Sequence, residues 1–184
     1  MTSEAAPVAD ALLGGSDGSD PGGRRVGDVV PVAEGLFTWP VGPEPAAGSS
    51  VGIRLVGSAC RGCGTATFPA QASCPRCTGA DVEERPLATR GTLWTYTVQR
   101  FPPKEPYRGE VAGFRPFAVG YVELPDGVLV ESRLVVDDVD EPDALRIGQE
   151  VALVAEPVFR DDEGRQVVTY AFAPGRARSS GGGA

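Results

Sequence analysis

Four cysteines carry the densest chemistry in this chain, spaced as Cys60-x2-Cys63-x10-Cys74-x2-Cys77, and the chain has no others. A Cys-x2-Cys pair folds into a knuckle that aims both sulfurs at one point. Two such pairs supply four thiolates, the donor set of a tetrahedral zinc ion. Two disulfides of a secreted protein would use the same residues. The paired-knuckle spacing favours metal, and with it a reducing, cytoplasmic compartment.

The sequence contains no histidine. Ser-His-Asp and Cys-His catalysis are therefore excluded, as is a mononuclear zinc site built on imidazole. Zinc ligated by four thiolates has no open position for water, so the expected Zn2+ is structural. The spacing also fits the iron of a rubredoxin-like electron carrier, because four thiolates do not choose between the metals.

A second chemical feature lies further on. Between residues 85 and 115 stand Arg85, Arg90, Arg100, Lys104, Arg108 and Arg115 against Glu105 and Glu110, in a protein of net charge -8. Arg100, Lys104, Arg108 and Arg115 are the candidate cofactor-binding residues. Beside Phe101, Tyr107 and Phe114 they could accept an anionic ligand and stack on its aromatic part, or anchor a partner subunit. The plainer alternative is a solvated loop with ordinary surface arginines. Glu123 and Glu131 could approach each other on a hairpin, but no nucleophile accompanies them. No catalytic residues are assigned.

The elements that position these groups read as mainly β. Residues 1–50 form a low-complexity, largely disordered N-terminal extension rich in Gly, Ala, Ser and Pro. Within it Val29 to Val41 is too apolar for a plain linker, and either packs on its own domain or docks on a partner. Residues 51–84 make the zinc ribbon, with a strand from Val51 to Gly57 leading into the first knuckle. Gly62, Gly64 and Gly79 permit its tight turns, and Phe68-Pro69 provides packing.

Residues 85–174 read as all-β, with period-two alternation in the first strand and mixed-apolar runs in the others. The strands are Gly91–Val98, Phe117–Leu124, Val128–Leu134, Val151–Phe159 and Arg165–Phe172. Pro125-Asp126-Gly127 turns the first hairpin, and Asp161 to Gly164 turns the second. Pro142 to Arg146 allows one short helical turn. Trp94, Tyr96 and Val98 share a face, and Trp94 is expected in barrel or ribbon–barrel packing. The strand count, the size and the place of the connector predict a five-stranded OB-fold barrel after a rubredoxin-like ribbon. Residues 175–184 read as a flexible tail. No apolar run is long enough to span a membrane, and Met1 to Leu13 lacks the pattern of a signal peptide.

These motifs together resemble the DUF35 family of zinc-ribbon and OB-fold proteins. The resemblance rests on Cys60-Arg-Gly-Cys-Gly64, on Phe68-Pro69 before Cys74-Pro-Arg-Cys77, and on Gly91-Thr-Leu-Trp-Thr-Tyr-Thr-Val98. It continues through Pro116–Leu124, through Leu145-Arg-Ile-Gly148, and through Val168–Pro174, covering about 55 to 174.

The resemblance implies a non-catalytic accessory subunit of a thiolase-superfamily enzyme acting on acyl-CoA, by thiolytic or retro-aldol cleavage or by condensation. It implies a thiolase-like partner in a hetero-oligomer such as a heterotetramer, and a part in assembly and in shaping the substrate channel. Members of the family carry a helical segment before the ribbon. Here Pro40, Gly42, Pro43 and Pro45 preclude one, which sets the N-terminal contacts apart.

Two other functions compete. An OB barrel with a ribbon could bind single-stranded nucleic acid, but the acidic charge and a single lysine, Lys104, oppose it. The electron carrier remains open on cysteine spacing alone. No nucleic-acid or membrane partner is expected.

Overall fold

A computed structural model describes residues 29–38, 52–104, 107 and 113–175. The expectations for residues 1–28, for the linker Gly42 to Ser50, for Arg108 and for the tail from Arg176 lie outside the described residues.

Among the described residues there are ten strands and no helix: β1 (Val29–Pro31), β2 (Phe37–Thr38), β3 (Arg54–Cys60), β4 (Ala66–Thr67), β5 (Val82–Pro86), β6 (Arg90–Gln99), β7 (Phe117–Glu123), β8 (Leu129–Leu134), β9 (Glu150–Arg160) and β10 (Gln166–Pro174). Strands β6, β7 and β8 form an antiparallel meander; β10 runs parallel beside β8, and β9 closes the ring by pairing with both β10 and β6. This is the predicted five-stranded OB barrel.

Alternation drives the closure. Leu93, Val122 and Val130 are fully buried between exposed chain neighbours, and Leu153 and Phe172 are fully buried in strands whose adjacent Val154 and Ala171 are buried as well. Each such side chain contributes about 1.5–3 kcal/mol over exposure.

Trp94 corrects the expectation of barrel packing. The β6–β7 register slips between Leu93 and Thr95, so Trp94 is the extra residue of a bulge and is 55% exposed. Leu93 takes the core position instead. The expected helical turn at Pro142 to Arg146 is a string of turns and bends. Ala144 N–H donates to Glu141 O at 3.1 Å, and a separate turn follows in which Gln149 N–H donates to Arg146 O at 3.1 Å. Its residue Leu145 is buried, and its carbonyl accepts from Tyr96 OH at 3.3 Å.

In the ribbon β3 is central, with β5 paired along Val56 to Cys60, and with β4 and β2 at its two ends. The ribbon has no separate core. Phe37, Ile53, Leu55 and Leu87 belong to the same buried cluster as Leu93, Val151 and Phe172 of the barrel. Contact is tight at Gly57, where a Cβ would lie 2.7 Å from Leu87 Cδ2 and 2.6 Å from Thr67 O.

Residues 29–38 tie the two sheets together. Strand β1 runs parallel to the start of β10, and Val32 N–H donates to Val168 O at 2.8 Å. Strand β2 then joins β3, and Val56 N–H donates to Leu36 O at 2.9 Å. Phe37 from this arm and Phe68 from the ribbon both meet the barrel's Tyr170 edge-on, with centroids 6.1 and 5.4 Å away. Aromatic pairs of this geometry add about 1 kcal/mol beyond their buried area.

Candidate metal centre and surrounding surfaces

Two tight turns build the metal centre. Gly64 N–H donates to Cys60 O at 2.8 Å, and Thr78 N–H donates to Cys74 O at 2.9 Å. Both turns place their next residue in the left-handed region, at φ of 73° for Gly64 and 60° for Thr78. The sequence reading assigned the second turn's flexibility to Gly79. The structure gives that role to Thr78, and Gly79 instead presents its N–H to Cys77 Sγ.

The four sulfurs lie within 4.8 Å of one another, with Cys60–Cys77 and Cys63–Cys74 both at 3.5 Å. Disulfide sulfurs would stand about 2.05 Å apart. Four thiolates at 2.3 Å from one zinc stand about 3.8 Å from each other, so the cluster has the dimensions of a tetrathiolate site. Its electrostatics demand a cation. Hydrogen bonding with Thr65 pulls the Cys63 thiol down to about 6. The backbone N–H of Cys77, then that of Arg76, lowers Cys74. At Cys77 the Gly79 N–H lowers the pKa, but three neighbouring sulfurs and burial outweigh it and push it up to about 12. Four adjacent thiolates cannot ionise together unless a metal neutralises them. The residues therefore fit structural Zn2+, held by Cys60, Cys63, Cys74 and Cys77. Thr65, with Oγ1 3.2 Å from Cys63 Sγ, supports that shell and carried no sequence signal.

The basic segment is less convergent than its sequence suggests. Arg100 is engaged by Asp140 at 2.6 and 3.3 Å, which lowers the Asp140 pKa through hydrogen bonding. Arg85 pairs with Asp126, and Arg90 pairs with Glu150 at 2.6 Å. Lys104 and Arg115 are exposed and have no ion pair among the described residues. No hydrogen bond joins Arg100, Lys104 and Arg115 to one another. Phe114 packs edge-on to Phe117 at 6.0 Å, and the Arg133 guanidinium lies 4.3 Å from the Phe117 centroid. Arg133 also pairs with the mostly buried Glu156 at 3.1 Å, an arrangement the sequence did not reveal.

Glu123 and Glu131 are not brought together. In register Glu123 faces Leu129 and Glu131 faces Tyr121, whose hydroxyl donates to Glu131 at 2.8 Å. No helix among the described residues is long and apolar enough to cross a membrane.

Comparison with known proteins matches this architecture in two pieces. Residues 53–83 match the family profile described as the ChsH2 rubredoxin-like zinc ribbon domain, and residues 84–156 match the ChsH2 C-terminal OB-fold domain. A DUF35 domain-containing scaffold protein of Methanothermobacter thermautotrophicus is 34% identical over 120 residues, covering 65% of this chain and 84% of that one. The benzoylsuccinyl-CoA thiolase subunit BbsA of Thauera aromatica is 28% identical over 118 residues, covering 64% and 74%. Among solved structures, the Ltp2-ChsH2(DUF35) aldolase aligns with 27% identity and a TM-score of 0.47, over 66% of this chain and 84% of that one.

Proposed function

The chain belongs to the DUF35 family of ChsH2-like zinc-ribbon and OB-fold proteins, and from that membership we propose that it is a non-catalytic accessory subunit of a thiolase-like enzyme acting on an acyl-CoA. One observation carries the proposal. A chain whose relatives are named as scaffold proteins and as a thiolase subunit has its best-formed site in a closed set of four thiolates. Such a site holds a fold and leaves no position for substrate. The zinc clips the knuckles, the ribbon shares one core with the barrel, and the rigid pair offers surfaces to a catalytic neighbour.

The proposed partner is a thiolase-fold subunit in a hetero-oligomer, with a heterotetramer as the expected form. Carbon–carbon bond cleavage or condensation takes place on that partner. The basic segment contributes to the acyl-CoA channel through Arg100, Lys104 and Arg115, together with Arg108, which lies outside the described residues. The exposed Lys104 and Arg115 suit phosphate contact better than Arg100, which Asp140 already engages.

The test is co-expression with the thiolase-fold protein encoded beside this chain. Expected are copurification and acyl-CoA turnover that falls when this chain is omitted. A chain that stays alone, with a thiolase fully active without it, overturns the proposal. Replacing Arg100 and Arg108 together is expected to weaken acyl-CoA use by the complex without altering the fold.

A further inference from the structure

The outer face of β6, β7 and β8 carries exposed aromatic, apolar and acidic side chains, among which Tyr121 OH donates to Glu131 at 2.8 Å. Two successive rungs run Thr92–Glu123–Leu129 and Thr95–Tyr121–Glu131, and the bulge inserts Trp94 between them. Trp94 is 55%, Leu129 47% and Tyr121 40% exposed. A shallow cavity of about 290 Å³ opens beside Tyr121, walled by Thr95, Thr97, Val119 and Glu131. A bulge re-aims the side chain it carries. Here it takes the largest side chain of the strand out of the inward alternation and presents it to solvent.

The charge on this face is one-sided. Glu123 and Glu131 have no ion pair among the described residues. The cation next along β8, Arg133, is taken up by Glu156 and by the Phe117 ring. The result is an aromatic and apolar centre beside two carboxylates with no cationic partner among the described residues, of which Glu131 accepts from Tyr121.

We propose that this face docks a protein surface with an apolar centre and a rim of arginine or lysine. It rests on the accessory-subunit reading, and identifies the occupant as the thiolase-like enzyme. Trp and Tyr are the side chains that most often anchor such contacts, and opposite charge at the rim sets the approach. The same carboxylates disfavour the other occupants of an OB face. They repel the phosphates of a single strand. In a two-fold contact with a second copy, like charges would meet at the same patch.

The experiment measures affinity between purified chain and the thiolase-fold protein encoded beside it. Trp94→Ala with Tyr121→Ala is expected to weaken binding at least 30-fold, roughly 1 kcal/mol for each anchor. Glu123→Lys with Glu131→Lys is expected to slow association and to remove its enhancement at low salt. Glu84→Lys, an equivalent reversal on the ribbon, is expected to change neither. Matching melting curves confirm that each variant folds.

Wild-type binding that survives both double variants overturns this docking face and leaves the accessory-subunit reading standing. Absence of any wild-type complex overturns both. Salt-sensitive binding of oligothymidylate that the Trp94 and Tyr121 changes abolish, or self-association that they abolish, also overturns the proposal, because the face then has another occupant.

Discussion

Asp126, at the tip of the β7–β8 hairpin, pairs with Arg85 at the end of the ribbon's last strand. The same carboxylate accepts from the Ala88 backbone N–H at 2.8 Å, and its side chain is only 9% exposed. One barrel turn thus holds the chain at the point where it leaves the ribbon. Arg85 is 44% exposed, so the ion pair is partly screened. The part-buried backbone contact is expected to carry most of the effect.

Asp126→Ala is therefore expected to cost about 2 kcal/mol in urea unfolding, with Arg85→Ala below about 0.5 kcal/mol. Equal losses in the two variants would place the stabilisation in the ion pair instead.

The tetrathiolate site predicts a colourless protein with a single zinc ion. Cys60→Ser or Cys74→Ser should lose that zinc and melt the ribbon, as read by metal analysis and near-ultraviolet circular dichroism. Retained stoichiometric zinc with native melting would contradict a structural site. Visible thiolate-to-iron bands would mark an electron carrier.

Phe37 is buried in the shared core and meets Tyr170. Phe37→Ala should destabilise the protein by about 3 kcal/mol. A loss below about 1 kcal/mol would show that the arm lies on the core without completing it.

Thr78 and Gly64 occupy equivalent places in the two knuckles, and a β-branched residue at positive φ is strained by about 1–2 kcal/mol. Thr78→Gly should raise the melting temperature of the zinc-loaded protein. It also removes the 2.7 Å bond from Thr78 Oγ1 to Cys77 O. An unchanged melting temperature would show that this bond offsets the strain.

Burial raises the Glu156 pKa above 4.5, and the Arg133 charge opposes that only in part. Between pH 4.5 and the raised value, the folded state holds a proton that the unfolded state has released. Its contribution to stability is thus present below pH 4.5 and is lost as pH rises through that window. Glu156→Gln should flatten this fall in a melting-temperature series against pH. An identical slope in the variant would assign the fall to other groups.

Local pattern made much of this fold legible. Alternation located the first barrel strand, and apolar runs flanking the Pro125-Asp126-Gly127 and Asp161–Gly164 turns placed the two hairpins. Cysteine spacing located the metal centre, because all four ligands sit within two short turns. What alternation does not encode is register. The slip at Trp94 depends on how β6 sits against β7, and it turns an expected packing residue outward. Contacts made across long stretches of chain were equally silent: Asp126 with Ala88, Phe68 with Tyr170, Arg133 with Glu156. The basic segment is a run of charge in sequence, yet Arg85, Arg90 and Arg100 each find a carboxylate from a distant element.

The parallel pairing of β1 with β10 has a consequence for the order of events at the ribosome. The first described strand pairs with the last, so it has no partner until nearly the whole described chain has emerged. The cysteine knuckles are local and can capture metal much earlier. The expected order is then a ribbon assembled around its ion first and an arm that closes over the barrel last, after the most non-local contacts.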